Sequence, residues 1–363
     1  MATNNSIHSD LAIPPGEYLE EVLGELGMTK SELARRMSRP ATKLSPIFRG
    51  AKAITPDTAL QLEKVVGVPA HIWTGLEAEY RLTLARQEEA QHQQRLRDEA
   101  QLVTPFCYSE LVKAGEVRRH TKPTDRVLEL QKFFGVTTLK RVRSLRRYEA
   151  FFRSPASGRA GRTPQAVAAW LRLGERRAQA MDCAAFDKAR LMSTLGDVRA
   201  MTLQQPDEFL ERLRNKLAAC GVALVVCPHF AKARAYGATF WQGPDTAVLM
   251  ITIRGKWADI FWFSLLHEIG HLLKHGRQTV ILEDDTTNDR ETEADTFAAN
   301  TLIPPRDYAR FVSQGSFYQS DIEVFARQVG VHPGIVVGRL QHDRRLRPNW
   351  QNRLRVRYEW AQP

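Results

Sequence analysis

A chain of 363 residues with 43% hydrophobic, 26% charged and 9% aromatic residues has ordinary globular composition, which excludes the disordered, fibrous and low-complexity classes and leaves room for two or three domains. No apolar run approaches the ~20 residues of a membrane span, and MATNNSIHSD lacks the basic and apolar regions of a signal peptide, so a cytoplasmic protein with no membrane partner is expected. The net charge of +11 suggests a polyanionic partner, while Cys107, Cys183, Cys220 and Cys227 form no CxxC pair and read as reduced core thiols.

Pro14-Pro15-Gly16 introduces a first helix with Tyr18, Leu19, Val22, Leu23 and Leu26 at helical spacing and Gly27 at its end. Thr29 and Glu32 form a capping box that opens SELARRM. A turn at 38–40 leads to TKLSPIFRG, and Thr55-Pro56-Asp57 starts TALQLEKVVG, closed by Gly67. Residues 1–80 carry eight basic and ten acidic side chains, a net of −2, yet 28–52 carry seven basic and one acidic, a local +6. Two short helices joined by a tight turn in a four- or five-helix unit with such a patch form a helix-turn-helix pattern.

The stretch 77–97, charged and Gln-rich with no breaker, reads as an exposed connecting helix. Helices follow around 109–114, 124–134 and 139–152. Residues 118–162 carry thirteen basic and three acidic side chains, including KRVRSLRR at 140–147 with Arg153, Arg159 and Arg162, which fits solvated helix faces or a site for single-stranded nucleic acid. A loop at 154–163 precedes helices at 164–181 and 205–220. The period then changes: VALVVC (222–227), GATFW (237–241) and AVLMITI (247–253) read as short strands. A tail rich in arginine, with Arg353, Arg355 and Arg357, closes the sequence.

The sharpest signal is HEIGH, His267 to His271, inside the apolar helix IFWFSLLHEIGHLL. Residues i and i+4 share a helix face, so the two imidazoles can grip one ion while Glu268 reaches a water beside it. A catalytic zinc site takes three protein ligands. Glu291, in ETEADTFAANTLIP, stands twenty residues after His271 and shares a helix face with Asp295. Glu291 is therefore the expected third ligand, with Glu293 its rival, and Asp295 is expected to accept a hydrogen bond from a ligand imidazole and fix its tautomer. This is the gluzincin arrangement. His275 is expected to be a neighbour of the site or a surface residue. One Zn2+ per chain follows from the mixed His and carboxylate set, with Glu268 as general base for peptide hydrolysis. Tyr318, His332 and Arg339 are candidates for stabilising the oxyanion.

From about 221 to 343 the chain resembles the ImmA/IrrE family of zinc metallopeptidases, through FWFSLLHEIGHLLKHG, ETEADTFAANTLIP and VFARQVGVHPGIVVGRLQHD. Its first 80 residues resemble the Xre-type helix-turn-helix of HigA-like antitoxins, through PPGEYLEEVLGELGMTKSELARRM and AKAITPDTALQLEKVVGVPAHIW. The resemblance implies a regulatory protease that cleaves or switches off a partner repressor or antitoxin, often in stress or phage-defence loci. In the helix-turn-helix pattern Thr42, Lys43, Ser45 and Arg49 would face a major groove, and Lys30 and Arg36 the phosphates. Two departures bear on this: Arg39 replaces a small apolar turn residue, and Pro46 lies inside the recognition helix, where proline removes a hydrogen bond and can kink it. DNA binding therefore competes with a role in homodimerisation or partner docking.

The expected fold is mainly α with a smaller α+β part: a helix-turn-helix domain (1–80), a basic helical connector (81–180), a gluzincin-like metallopeptidase with a small β-sheet (181–345) and a basic tail (346–363). The competing reading is a DNA-binding regulator or antitoxin that uses the peptidase fold as a sensor; an intact His267, Glu268, His271, Glu291 and Asp295 set favours the enzyme.

Overall fold

The computed structural model describes residues 11–153, 161–252, 257–275, 281–282 and 289–359; Arg159 and most of the 154–163 loop lie outside the described residues. The chain divides into two compact units, Met1–Asp98 and Glu99–Pro363. The division falls at 98/99 instead of 80, and none falls near 180.

The first unit contains α1 (Pro15–Glu25), α2 (Lys30–Arg36), α3 (Ala41–Phe48), α4 (Pro56–Val66) and most of α5 (Ala70–Glu99). Leu19, Leu33, Leu44, Ile47, Ala59, Leu62 and Trp73 form its core. Thr29 caps α2 by accepting from the Glu32 N–H at 3.1 Å, and the Glu32 carboxylate, instead of bonding back, pairs with Arg35 and Arg36. Those guanidinium groups hold its carboxyl below the ordinary value. Pro46 is accommodated inside a continuous α3. Arg39 ties the turn to α4, donating to Thr58 Oγ1 at 3.0 Å and pairing with Asp57 at 2.5 Å.

The beginning of α5 departs from the expected exposed connector. Trp73 is fully buried, its indole donating to Val68 O at 3.1 Å. Buried Glu77 accepts from the Ile54 N–H at 3.0 Å and pairs at 2.7 Å with Arg81, which donates to Gly50 O. Buried polar groups need such partners, and the charged composition of 77–97 conceals them.

In the second unit come α6 (Tyr108–Lys113), α7 (Pro123–Phe134), α8 (Glu149–Arg153), α9 (Pro164–Gln179), α10 (Lys188–Ala200) and α11 (Pro206–Ala218). The helix expected at 139–152 is instead a 3-10 segment, Leu139–Ser144, an extended Leu145 and the short α8. Leu139 and Val142 are buried at a spacing of three, and Arg147 is drawn away to pair with Glu175 at 2.6 Å and donate to Trp241 O at 3.2 Å. Glu99 accepts from the Leu139 N–H and Gln131 at 3.0 and 2.9 Å and from the Thr138 hydroxyl. Burial raises its carboxyl, but these bonds outweigh it and hold the group below its ordinary 4.5.

A four-stranded sheet follows: β1 (Val222–Cys227), β2 (Gly237–Gln242), β3 (Thr246–Thr252) and β4 (Ile281–Leu282), in the order β1-β3-β2-β4. β1 and β3 are parallel, with Val222 opposite Ala247; β2 runs antiparallel to β3 and β4. Val222, Leu224, Val226, Leu249 and Ile251 join the core shared with α11 and the next helix, α12 (Ala258–Lys274). Helix α9 packs on β1 and β3, where Met250 lies against Gly174. Burial on both faces explains the nearly unbroken apolar runs of β1 and β3.

Helices α13 (Asp289–Leu302), α14 (Pro305–Ser313), α15 (Gln319–Val329) and α16 (Pro333–His342) complete the unit. The expected basic tail packs onto this core through Leu354, Val356 and the buried Tyr358. Arg355 grips Asp259 at 3.0 and 2.7 Å, Ala258 N–H donates to Val356 O at 2.9 Å, and Trp262 donates to the buried Tyr358 hydroxyl at 2.9 Å. Its arginines read as a solvated run, yet one of them neutralises a buried aspartate. Among the described residues, no helix is long and apolar enough to cross a membrane, and all four cysteines are free thiols.

Candidate functional site

The centre is built on α12, whose apolar sequence buries it on nearly every side and carries polar groups inward with it. His267 is 2% exposed, and His271 and Glu268 are fully buried. Gly270 lies against α13: a Cβ there would stand 3.0 Å from the Phe297 ring and 3.3 Å from Ala294 Cα, so the glycine of HEIGH lets the two helices approach. The carboxylates of α13 thereby reach the histidines.

His267 Nδ1 lies 2.8 Å from Asp295 Oδ1, and its Nε2 lies 3.0 Å from Glu291 Oε2. His271 Nε2 is 2.9 Å from His267 Nε2 and 3.5 Å from Glu291 Oε1. With Asp295 accepting from Nδ1–H, His267 turns the lone pair of its other nitrogen toward a second imidazole and a carboxylate. Acceptors converge in this way where a cation belongs between them. Ligand atoms of His267, His271 and Glu291 all fall within 4.8 Å of one another, so the donor set fits a divalent metal. Burial raises the Glu291 carboxyl, and the two histidines more than reverse that, bringing it down to about 2.

Glu268 faces the sheet. The Thr239 hydroxyl of β2 donates to its Oε2, and a Cβ on Gly237 would fall well inside 3.0 Å of its Oε1. Neither residue is part of the HExxH pattern. Gly237 carries the one local hint, a glycine opening a strand, which marks a close approach.

The other sequence candidates are placed as follows. The Glu293 side chain is 63% exposed and turns to His275 at 3.8 Å, leaving Glu291 as the carboxylate at the cluster. His275 sits at the C-terminal end of α12, its Nε2 3.1 Å from Arg290 O; burial pushes its imidazole below the ordinary value. Tyr318 is exposed ahead of α15. His332 caps α16, accepting from the Gly334 N–H at 3.0 Å, and Arg339 pairs with Asp343 at 2.7 Å. None of these three joins the His267–Glu291 cluster.

On α3, Thr42, Lys43 and Ser45 are exposed, as is Arg49 at its C-terminal cap. Lys30 and Arg36 are engaged within the unit, Lys30 with Glu20 and the Phe48 ring, Arg36 with Glu32 at 2.8 Å. In the basic run, Lys140, Arg141, Arg143 and Arg146 are exposed, whereas Arg147 is bound to Glu175.

Comparisons with known proteins match two separate parts of the chain. Residues 223–341 match the M78 peptidase family model, described as the IrrE N-terminal-like domain. The N-terminal region is similar to Virulence-associated protein I of Dichelobacter nodosus, 35% identical over 79 residues, 22% of this chain and 73% of that protein. It is also similar to the uncharacterized HTH-type transcriptional regulator YddM of Escherichia coli K12, 32% identical over 83 residues, 23% of this chain and 86% of that protein. Among solved structures, an addiction module antidote protein of the HigA family from Coxiella burnetii matches with 35% identity over 22% of this chain and 89% of its own, at a TM-score of 0.22. Residues 223–341 therefore form a domain of the IrrE N-terminal-like peptidase family, joined to an N-terminal region similar to helix-turn-helix regulators.

Proposed function

We propose that this chain is a cytoplasmic zinc-dependent metalloendopeptidase that cuts a partner protein of transcriptional control, a repressor or an antitoxin, and that its helix-turn-helix brings it to DNA or to the DNA-bound partner. The observation that carries the hydrolytic reading is the convergence of His267, His271 and Glu291 within 4.8 Å beside the buried Glu268. His267, His271 and Glu291 would hold one zinc, and Asp295 would fix the His267 tautomer. When bound, zinc supplies Lewis acidity for the scissile carbonyl and for a water. Glu268, steadied by Thr239 and approached closely by Gly237, takes the proton of the attacking water and delivers it to the leaving nitrogen.

The test is metal analysis and incubation with the repressor or antitoxin encoded beside this chain. One zinc per chain and cleavage of the partner are expected, with Glu268→Gln keeping the metal and losing the cut. A partner that is bound and never cut favours the second reading, a regulator with a peptidase-derived sensor. That reading is favoured by the exposed Thr42, Lys43 and Ser45 on α3 and Arg49 at its C-terminal cap; homodimerisation or docking through the same unit would appear as partner binding without operator binding. Single-stranded nucleic acid is proposed as a further partner of Lys140, Arg141, Arg143 and Arg146, and salt-sensitive oligonucleotide binding tests it.

A further inference from the structure

Helices α12 and α13 run past one another in a fixed register. His271 meets Glu291 and, one turn toward the start of α12, His267 meets Asp295. One turn further from those donors stand Phe263 on α12 and Ala299 on α13, and beyond them Ile260 and Leu302. These last four residues line a cavity of about 220 Å³. The stripe that supplies the metal donors on each helix thus continues, turn by turn at about 5.4 Å, into the cavity wall. Phe263 spans the two, its ring centroid 6.3 Å from that of His267. Ile303, Ile335 and Tyr236 extend the wall, and Tyr236 immediately precedes Gly237, whose backbone approaches Glu268 too closely to leave room for a Cβ.

The chemistry of the cavity selects its occupant. Two of its charged wall residues are already neutralised inside the fold, Asp259 by Arg355 and Arg339 by Asp343, so the surface left for a ligand is dominated by Phe263, Leu302, Ile303, Ile260 and Ile335. A cavity of about 150 Å³ with such a lining accepts benzene. One of about 220 Å³ accommodates an aromatic or branched aliphatic side chain and excludes an ionised one, which would lose its hydration without a partner.

We infer that this cavity is the specificity pocket of the peptidase, and that it takes a bulky apolar side chain flanking the scissile bond of the protein substrate. The inference rests on the hydrolytic reading for the word scissile, while the recognition of the side chain can be measured without hydrolysis. Peptide backbone held at the metal donors would place a neighbouring side chain one helical turn along the stripe, at Phe263 and Ala299. A partner protein would accordingly be cut at an exposed Leu, Ile, Met or Phe in a segment able to extend into the site.

The experiment uses the full chain and fluorescein-labelled, amidated heptapeptides that differ in the central residue: Gly, Ala, Leu, Phe or Trp. Binding is read by fluorescence anisotropy on zinc-loaded Glu268→Gln protein, and cleavage on the parent. Leu and Phe peptides are expected to bind at least about 10-fold tighter than Gly and Ala peptides, the discrimination an apolar pocket provides. Ala299→Leu should shift the preference toward Ala, and Phe263→Ala toward Trp, with zinc content unchanged; toluene should displace the Phe peptide and leave the Gly peptide bound. Absence of any central-residue preference, a preference that follows neither substitution, or toluene binding that displaces no peptide overturns the inference. Cavity-dependent binding with no cleavage by the parent upholds the pocket and removes the hydrolytic reading instead.

Discussion

The centre on α12 and the exposed face of α3 represent two ways of displaying polar chemistry on a helix. At α12 polar groups are buried and held from a second element: His267 by Asp295 of α13, Glu268 by Thr239 of β2. On α3 and at its C-terminal cap, Thr42, Lys43, Ser45 and Arg49 stand in solvent, and the helix is positioned from beneath by Leu44, Ile47 and Phe48. Burial makes each group at the first site depend on its neighbours, because an uncompensated buried polar group is costly. Exposure makes the groups at the second site nearly independent, with screened and individually small contributions.

Four measurements sharpen or break that contrast. The largest effect is expected at His271: His271→Ala should remove metal binding, read by elemental analysis, and reduce peptide hydrolysis to background in one step. Retention of one tight metal per chain would show that the centre is not a cooperative unit. Next, Gly237→Ala forces a methyl group against Glu268 and should lower the cleavage rate roughly 100-fold, the scale of a displacement of about 1 Å, while metal content stays at the parent level.

At α3 the response should be graded. Lys43→Ala is expected to weaken operator binding by about 1–3 kcal/mol and to relax specificity at the base pair it faces; an all-or-none loss would mean that α3 acts through a buried contact. The smallest effect concerns Glu99, a buried carboxylate with no assigned chemistry. Its acceptor bonds lower the folded-state value below 4.5, so its stabilisation is complete above that pH and is lost as the pH falls toward the lowered value. The thermal midpoint of Glu99→Gln should therefore lie furthest below that of the parent near pH 7 and converge with it on acidification; a constant gap would indicate lost packing.

The same contrast governs how much of the fold and the site is legible in the order of residues alone. HExxH and ExxxD are helical spacings, so His267, His271, Glu291 and Asp295 declare their shared faces within a few residues of sequence. Thr239 and Gly237 come from a strand and lie 29 and 31 residues upstream of Glu268, and only the sheet register brings them to it. Helix α10 gives a weaker signal, because only Leu191 and Val198 are buried, with Leu195 partly buried between them. The strands are legible through unbroken apolar runs, whereas the 3-10 segment at Leu139–Ser144 depends on a distant salt bridge, Arg147 to Glu175. Arg39 reads as a defect in the turn because the carboxylate and hydroxyl that satisfy it lie 18 and 19 residues on.

The clamp at the start of α12 also sets an order of events in time. Asp259 and Trp262 each find their partner 96 residues later, in Arg355 and Tyr358. At a synthesis rate of 5–20 residues per second, the ribosome needs about 5–20 s after making the helix to make its clamp. During that interval Asp259 has no counter-ion from Arg355, and the wall it shares with Phe263 and Gly338 is unfinished. A nascent chain therefore holds His267, His271 and Glu291 well before Arg355 arrives to complete the surroundings of the cavity.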